Sequence, residues 1–366
     1  MPAEISTSSQ IPSISTARLG RIYLLADDLT GGCDAGAAFL AAGHEVRAWL
    51  GAKPSFTASE SVQAINTASR GLPPDKAEEA VTRAASAVEA GADTIFFKKI
   101  DSAARGAIAA ELLAAQRVLG TRVILFAPGF PATGRTVRDG ILKVRDASGQ
   151  DSKVALRELF PAEMSGAIAL VSNGDDLASA IDSGRTILLC DSVTQEELNA
   201  LARAARPFNG LLYAGSAGLA RAMASLDGIK AQRTELPNAV RTLLITGTPH
   251  PVTKLQLDQL ESAAHLRKNV QILRIACEAG DGAKIRDTFN RFDPQALIFT
   301  GGDTALLAGE ALGAHSILLK GEFTAGIPWG ILQGGEAQGR IVVTKSGGFG
   351  SPSALNDLIE HFAGEA

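Results

Sequence analysis

The stretch YLLADDLTGGCDAGAAFLAAG, residues 23–43, ends an apolar run on two adjacent carboxylates, Asp27 and Asp28, in front of a Gly-Gly pair. Aspartates so placed cap turns, hold cations or act as bases. Strand alternation points the two side chains to different sides, so one is expected to face a ligand. A second stretch, FFKKIDSAARGAIAAELL, ends its apolar run on Lys98 and Lys99, followed by Asp101, Ser102 and Arg105. Arg105 is expected in a first helical turn, where a cation opposes the helix dipole by about 0.3–1 kcal/mol unless an anion lies beside it. A salt-bridge network of Lys99, Asp101 and Arg105 is the alternative. Lys98 and Lys99 should diverge, one toward the site and the other toward a carboxylate or the surface. INTASR delivers Arg70 to the same edge. Asp28, Arg70, a lysine and Arg105 together can grip a small carboxylate-bearing molecule and leave one carboxylate as base.

Glycine turns carry a different chemistry in the second part of the chain. FTGGDTALLAGEALG and VTKSGGFGSPSALNDL each run from strand through Gly-Gly toward a helix, and ITGTPHPVT contributes Thr248. Exposed backbone N–H groups at such turns attract phosphate, so Gly301, Gly302, Asp303, Thr304, Gly347 and Gly348 form a candidate nucleotide site. PGFPATGRTVRDG imitates Walker A spacing, but arginine replaces the lysine and Pro131 intrudes, so no P-loop is expected; Arg135 can still help hold an anion. YAGSAGLARA reads as tight helix packing around Ser216 and Gly218. Of five histidines only His250 falls in a candidate loop, and neither a nucleophile elbow nor a metal-ligand cluster is present.

The elements that must position these residues follow one repeating pattern: a short apolar run, a Gly- or Asp-bearing turn, then an Ala/Leu-rich helical stretch. Runs at 21–26, 61–66, 94–100, 122–128, 186–190 and 211–215 are apolar nearly throughout, as suits strands buried on both faces of a parallel sheet. Thr194 and Glu197 form a capping box ahead of Leu198, Leu201 and Ala205. The polar segment 221–241 reads as a linker, after which three more strand-turn-helix units follow. The expected fold is α/β with two domains, each a mainly parallel sheet flanked by helices, and a cleft between them. The expected division is a tail at 1–17, a first domain at 18–228 and a second at 240–366. Ligands of such sheets bind beyond the carboxyl ends of the strands.

With 366 residues, 46% of them apolar, the chain is globular and large enough for two cores. A formal net charge of −4 and dispersed basic residues argue against nucleic acid. Cys33, Cys190 and Cys277 lie far apart without a CxxC, which fits a reducing cytoplasm. Residues 1–17 lack the apolar core of a signal peptide, and no apolar stretch approaches the roughly 20 residues that span a bilayer, so no membrane partner is expected.

In the order ADDLTGGCDAGAAF, INTASR, KKIDSAARG, APGFPATGRTVRDG, YAGSAGLARA, TGGDTA and TKSGGFG, the chain resembles the four-carbon acid sugar kinases, from about residue 21 to its end. Members of that family phosphorylate threonate, erythronate or 3-oxo-tetronate with ATP. The resemblance implies an acid-sugar-binding domain, a nucleotide-binding domain and catalysis between them. Expected substrate contacts are Asp27, Asp28, Arg70, Lys98, Lys99, Asp101, Ser102 and Arg105, with Asp28 and Asp101 as catalytic carboxylates. Expected ATP contacts are Thr248, Gly301 to Thr304, Gly347 and Gly348. Mg²⁺ is expected to bridge the phosphates with few fixed protein ligands, Asp303 being one candidate. The chain departs from the family pattern at Ala103, Ala104 and Ala107, where Thr, Leu and Asn are usual, at Thr248, where Ser is common, and after Gly140, where a segment is shortened. The partners implied are a sugar acid and ATP, with a homodimer left open. Two rival readings are a nucleotide-linked dehydrogenase, which lacks a GxGxxG after the first strand, and a non-catalytic small-acid sensor, which has little use for two phosphate turns.

Overall fold

A computed structural model describes residues 19–51, 60–91, 93–145, 151–228, 234–263 and 269–364; the expected tail at 1–17 lies outside them. Strands occupy Ile22–Ala26 (β1), Val46–Trp49 (β2), Val62–Asn66 (β3), Ile95–Lys99 (β4), Val123–Ala127 (β5), Arg135–Arg138 (β6), Ile141–Arg145 (β7), Asp151–Ala155 (β8), Ile168–Val171 (β9), Ile187–Cys190 (β10) and Leu211–Gly215 (β11) in the first part. The second part holds Thr242–Thr246 (β12), Val270–Arg274 (β13), Ala296–Thr300 (β14), Ser316–Thr324 (β15), Ile327–Gln333 (β16) and Ile341–Lys345 (β17). The α-helices are Leu29–Ala41 (α1), Pro74–Ser86 (α2), Ile108–Leu119 (α3), Gly174–Asp182 (α4), Gln195–Ala205 (α5), Ala217–Ala224 (α6), Pro251–Ser262 (α7), Asp281–Phe292 (α8), Gly302–Ala311 (α9) and Ala354–Ala363 (α10).

Every strand foreseen from an apolar run forms. β1, β3, β5, β10, β11, β12 and β14 are buried along their whole length, the signature of a sheet covered on both faces. The first lobe is eight parallel strands in the order β2-β3-β1-β4-β11-β5-β10-β9. The second is four parallel strands, β13-β12-β14-β17, extended by the antiparallel hairpin β15–β16. These two sheets are one: β15 pairs antiparallel with β2, making a continuous fourteen-stranded ribbon among the described residues. One apolar core runs along a single face of that ribbon through both lobes, from Leu24 and Phe39 to Phe299 and Leu319. The opposite face carries two separate cores, one under α2, α3 and the small sheet β6–β7–β8, the other under α7 and α10.

The hairpin reverses strand direction, so the parallel strands of the two lobes run in opposite senses along the ribbon. Six strand-to-strand steps separate β1 from β14. At roughly 20–25° of twist per step, about 120–150° accumulates between them, which turns the two sets of carboxyl ends back toward each other. The capping box expected at α5 forms, with the Glu197 amide donating to Thr194 Oγ1 at 3.1 Å and the Val193 amide to Glu197 Oε2 at 2.7 Å. The linker is shorter than 221–241: α6 runs to Ala224, and Leu236 and Ala239 already belong to the core under α10.

Alternation along β4 sends Lys98 to the face covered by α3, where its Nζ lies 2.6 Å from Glu111 Oε2 with both side chains buried. Its expected place among the substrate contacts is corrected accordingly. Removing one member of a buried pair leaves an uncompensated charge, at a cost of about 3–5 kcal/mol. Lys98→Met should therefore lower unfolding stability by about that amount, and adding Glu111→Leu should restore most of it, as read by denaturant unfolding.

Candidate active site

Register places the critical residues of the first lobe at one edge. Ala26 pairs with Asn66 and with Lys99, so Asp27, Thr67 and Ile100 leave the sheet side by side. The amides of Ser69 and Arg70 donate to the Asp27 carbonyl at 3.0 and 3.2 Å, turning the chain after β3 back over the end of β1. Arg70 then lies across both aspartates. Its Nε and Nη2 donate to Asp27 at 2.8 Å each, and its Nη1 and Nη2 to Asp28 at 2.7 and 2.9 Å. The expected divergence of Asp27 and Asp28 is not observed. Alternation separates neighbours only while a sheet lies between their faces, and beyond Ala26 a forked guanidinium reaches both. Burial alone would raise the Asp27 carboxyl; Arg70, backed by Lys99 and Lys98, outweighs it and holds the group below the usual range.

Asp28 also caps α1, its Oδ1 accepting from the Gly31 amide at 2.8 Å, while Oδ2 accepts from Thr30 Oγ1 at 2.9 Å. Both of its oxygens are therefore doubly engaged. Asp101 is engaged as fully, taking the Arg105 Nε at 2.7 Å and Nη2 at 2.9 Å. Against the effect of burial, Arg105 and Arg70 hold the Asp101 carboxyl well below its ordinary value. Arg105 does not stand in a helix: α3 starts at Ile108, and Ala104, at φ 58°, folds the preceding loop so that Arg105 returns to Asp101. The helix-dipole argument for an anion at Arg105 therefore falls, and the Asp101–Arg105 pair is the arrangement found.

Two cations of this edge lack an acidic partner among the described residues. Lys99 is buried and its Nζ donates to the Ile100 carbonyl at 2.7 Å. Arg135, at the start of β6, donates to Ser102 Oγ at 3.0 Å and Thr133 Oγ1 at 3.2 Å, and lies over the Phe349 ring. Burial lowers the Arg135 guanidinium below its usual range, with Arg105 adding to the fall and Asp101 and Asp34 opposing it.

In the second lobe, turns after β12, β14 and β17 meet. α9 is preceded at its cap position by Gly301, which has no side chain to offer, so the amides of its first turn have no side-chain cap to bind. Thr248 reaches between the other two turns: a Cβ on Gly347 would sit 2.6 Å from Thr248 Oγ1. Beneath the last turn Lys345 is 1% exposed, its Nζ donating to Thr253 Oγ1, Ser346 O and Phe349 O at 3.1–3.2 Å. Burial pushes its ammonium down to about 7. It holds the carbonyls of the turn from behind.

The lobes touch at the floor of a cleft of about 1290 Å³. Thr30 Oγ1 lies 3.0 Å from Ser346 Oγ, and Gly302 abuts the Asp28 carboxylate so closely that a Cβ there would collide with it. The cleft brings together Asp28, Arg70, Lys99, Asp101, Ser102, Arg105, Thr248, Gly301, Gly302, Asp303, Thr304, Gly347 and Gly348. Asp27 stands behind Arg70, and Lys98 lies on the other face. His250 caps α7 through its ring Nδ1, which accepts from the Val252 amide at 3.3 Å. Beyond the expected contacts the cleft also takes in Arg135 and Asp34. Arg135 lies in the segment that fails as a Walker A loop but can help hold an anion, and Asp34 stands alone as the charged residue of an otherwise apolar and small helical stretch, which was its one available signal. Among the described residues no group of three or more His, Cys, Asp or Glu gathers as a metal site, and no helix is long and apolar enough to cross a membrane.

The cleft thus sets a cluster of paired and unpaired charges on the first lobe against glycine turns on the second, across a joined α/β ribbon. A family model described as a sugar-binding N-terminal domain matches residues 22–223, and one described as a nucleotide-binding C-terminal domain matches residues 282–355. The chain belongs to the four-carbon acid sugar kinase family. It is 29% identical to a D-threonate kinase of Bordetella bronchiseptica over 91% of this chain and 95% of that one. It is 26% identical to a D-threonate kinase of Salmonella typhimurium, over 93% and 97%. A solved Haemophilus influenzae structure shares the fold, with a TM-score of 0.66 and 20% identity over 93% of this chain and 100% of that one.

A depressed Asp27 contributes stability above its unfolded value and loses it as pH falls through the folded value. In Arg70→Leu the burial effect loses its main opponent, so the sign turns and the carboxylate becomes a liability as pH rises. The melting-temperature deficit of Arg70→Leu relative to the native chain should widen from about pH 5 to about pH 8.

Proposed function

We propose that this chain transfers phosphate from ATP to a hydroxyl of a four-carbon sugar acid, with D-threonate the first candidate. The observation that carries the reading is the placement of Lys99 and Arg135, cations without acidic partners among the described residues, in the same cleft as the uncapped start of α9 and the turn at Gly347. A carboxylate suits the first pair, and a polyphosphate suits the second set of amides.

The second lobe fits that ligand: the amides of Gly302 to Thr304 and of Gly347 and Gly348, with the Thr248 hydroxyl, would hold the phosphates. ATP, when bound, supplies the transferable phosphoryl group. Lacking a built metal cluster among the described residues, the lobe would receive Mg²⁺ with the nucleotide, and Asp303, exposed in the first turn of α9, would assist it. Lys99, Arg135 and Ser102 bind and orient the acid, while Arg105 stands half free at the rim with 65% of its side chain exposed. Arg70 fixes the edge by tying Asp27 and Asp28. Phosphoryl transfer depends chiefly on positioning and charge stabilisation, which this rigid arrangement provides. The reducing cytoplasm is the compartment that suits the three free thiols.

A coupled ADP-release screen over C4 and C5 sugar acids tests the reading. Turnover should appear with a C4 acid and exceed hydrolysis by water; ADP release unaffected by every acid would refute it. Arg135→Met should raise KM for the acid at least tenfold and leave ATP binding unchanged, since the lost contact is charge-assisted. Gly347→Ala should abolish the thermal shift given by ATP while sugar-acid binding persists.

A further inference from the structure

Four carboxylates of the first lobe lie in or beside the cleft, and three of them are bound up. Asp27 is held by Arg70, Asp28 accepts four hydrogen bonds, and Asp101 is clamped by Arg105. A carboxylate whose lone pairs already receive guanidinium and amide protons is a weak acceptor for another. Asp34 differs. It sits on α1, three residues beyond Gly31, so it faces the same side of the helix as the glycine against which Lys99 Nζ rests. It lines the cleft, is 3% exposed, and its Oδ1 has no hydrogen-bond partner. The Arg221 Nη2 stands 3.9 Å away, outside hydrogen-bond reach, and is itself occupied by Glu322 at 2.8 Å.

We propose that Asp34 is the general base of the transfer, its carboxylate taking the proton of the attacking substrate hydroxyl. This rests on the kinase reading above. As the O–H bond breaks and its proton passes to Asp34, the hydroxyl oxygen bonds to the γ-phosphorus. The bond from that phosphorus to the bridging oxygen breaks, and ADP leaves with the electron pair. Asp28, one of the two catalytic carboxylates expected from the sequence, instead keeps Arg70 and the start of α1 in place.

The electrostatics are those a base near neutrality needs. Burial raises the Asp34 carboxyl to about 6, with Glu322 on β15 and Asp28 adding to the rise. Lys99 on β4 and Arg221 on α6 oppose it. The group is thus ionised at neutral pH yet basic enough to accept a proton.

The test compares Asp34→Asn, Asp28→Asn and Glu322→Gln with the native protein in the coupled assay from about pH 5 to about pH 8.5. The native kcat/KM should fall on an acid limb centred near 6. Asp34→Asn should lower kcat by about 10²–10⁴, erase that limb, and leave the ATP thermal shift and the sugar-acid Kd within about threefold. Glu322→Gln removes a negative charge beside Asp34 without altering any cleft side chain, so the limb should move to lower pH with its plateau kept. It carries the test if Asp34→Asn fails to fold. An isotope-edited carboxyl titration should show one group near 6 that disappears in Asp34→Asn and is perturbed by the sugar acid in the native chain. An Asp34→Asn protein with kcat within threefold of native, or a limb unmoved by Glu322→Gln, overturns the proposal. A native chain that turns over no sugar acid overturns the kinase reading and this role with it; normal native turnover beside an active Asp34→Asn overturns this role alone.

Discussion

The site depends on one guanidinium laid across two neighbouring carboxylates. Asp27 and Asp28 are both buried, and without Arg70 they would repel each other in a medium that screens poorly. Arg70 resolves that repulsion and fixes three loops at once: the end of β1, the turn after β3, and, through its approach to Asp101 at 4.0 Å, the loop after β4. Asp28 then has a single orientation, in which it caps α1 and meets the start of α9. The junction between the lobes is built outward from that contact.

Charge pairing also decides which groups remain available for ligands. Arg70 and Arg105 have partners inside the protein, and so do Asp27, Asp28 and Asp101. Lys99 and Arg135 find no acidic partner within ion-pair distance among the described residues, and Asp34 has only Arg221 at 3.9 Å, though all three are largely buried and line the cleft. A protein tolerates such groups at a cost in stability, and clefts that bind and transform ligands are where that cost is commonly met. The second lobe shows the complementary device. Its cleft-lining glycine turn is held by a lysine beneath it, Lys345, which donates to the Ser346 and Phe349 carbonyls.

Much of this was legible in the chain because the carriers are local. Apolar runs at β1, β3, β4, β5, β12, β14 and β17 announced buried strands, and the Asp and Gly residues at their ends announced the loops. The shorter or mixed strands were not announced. β2 has Arg47 in its middle, bonded to Glu60, and β15 contains Gly321 and two register shifts, so neither shows a clean pattern. The direction of side chains at the strand ends failed for a different reason. Alternation foretold Lys98 and Lys99 correctly within β4, yet it failed for Asp27 and Asp28, where the sheet has ended and a distant arginine decides. Asp34 was passed over because a helical residue gives no sign of which neighbours surround it until α6 and β4 are packed against its helix.

The junction of β15 with β2 has a bearing on how the molecule is divided. In chain order the first lobe ends with α6 and the second begins with β12, yet hydrogen bonds and a common apolar layer cross elsewhere, along the flank of α1. A fragment ending between α6 and β12 would carry a bare strand margin at β2 and an uncovered helix flank, both invitations to self-association. Inheritance of either half as an exchangeable module is therefore disfavoured by the weave of the ribbon, even though the chain reads as two consecutive blocks.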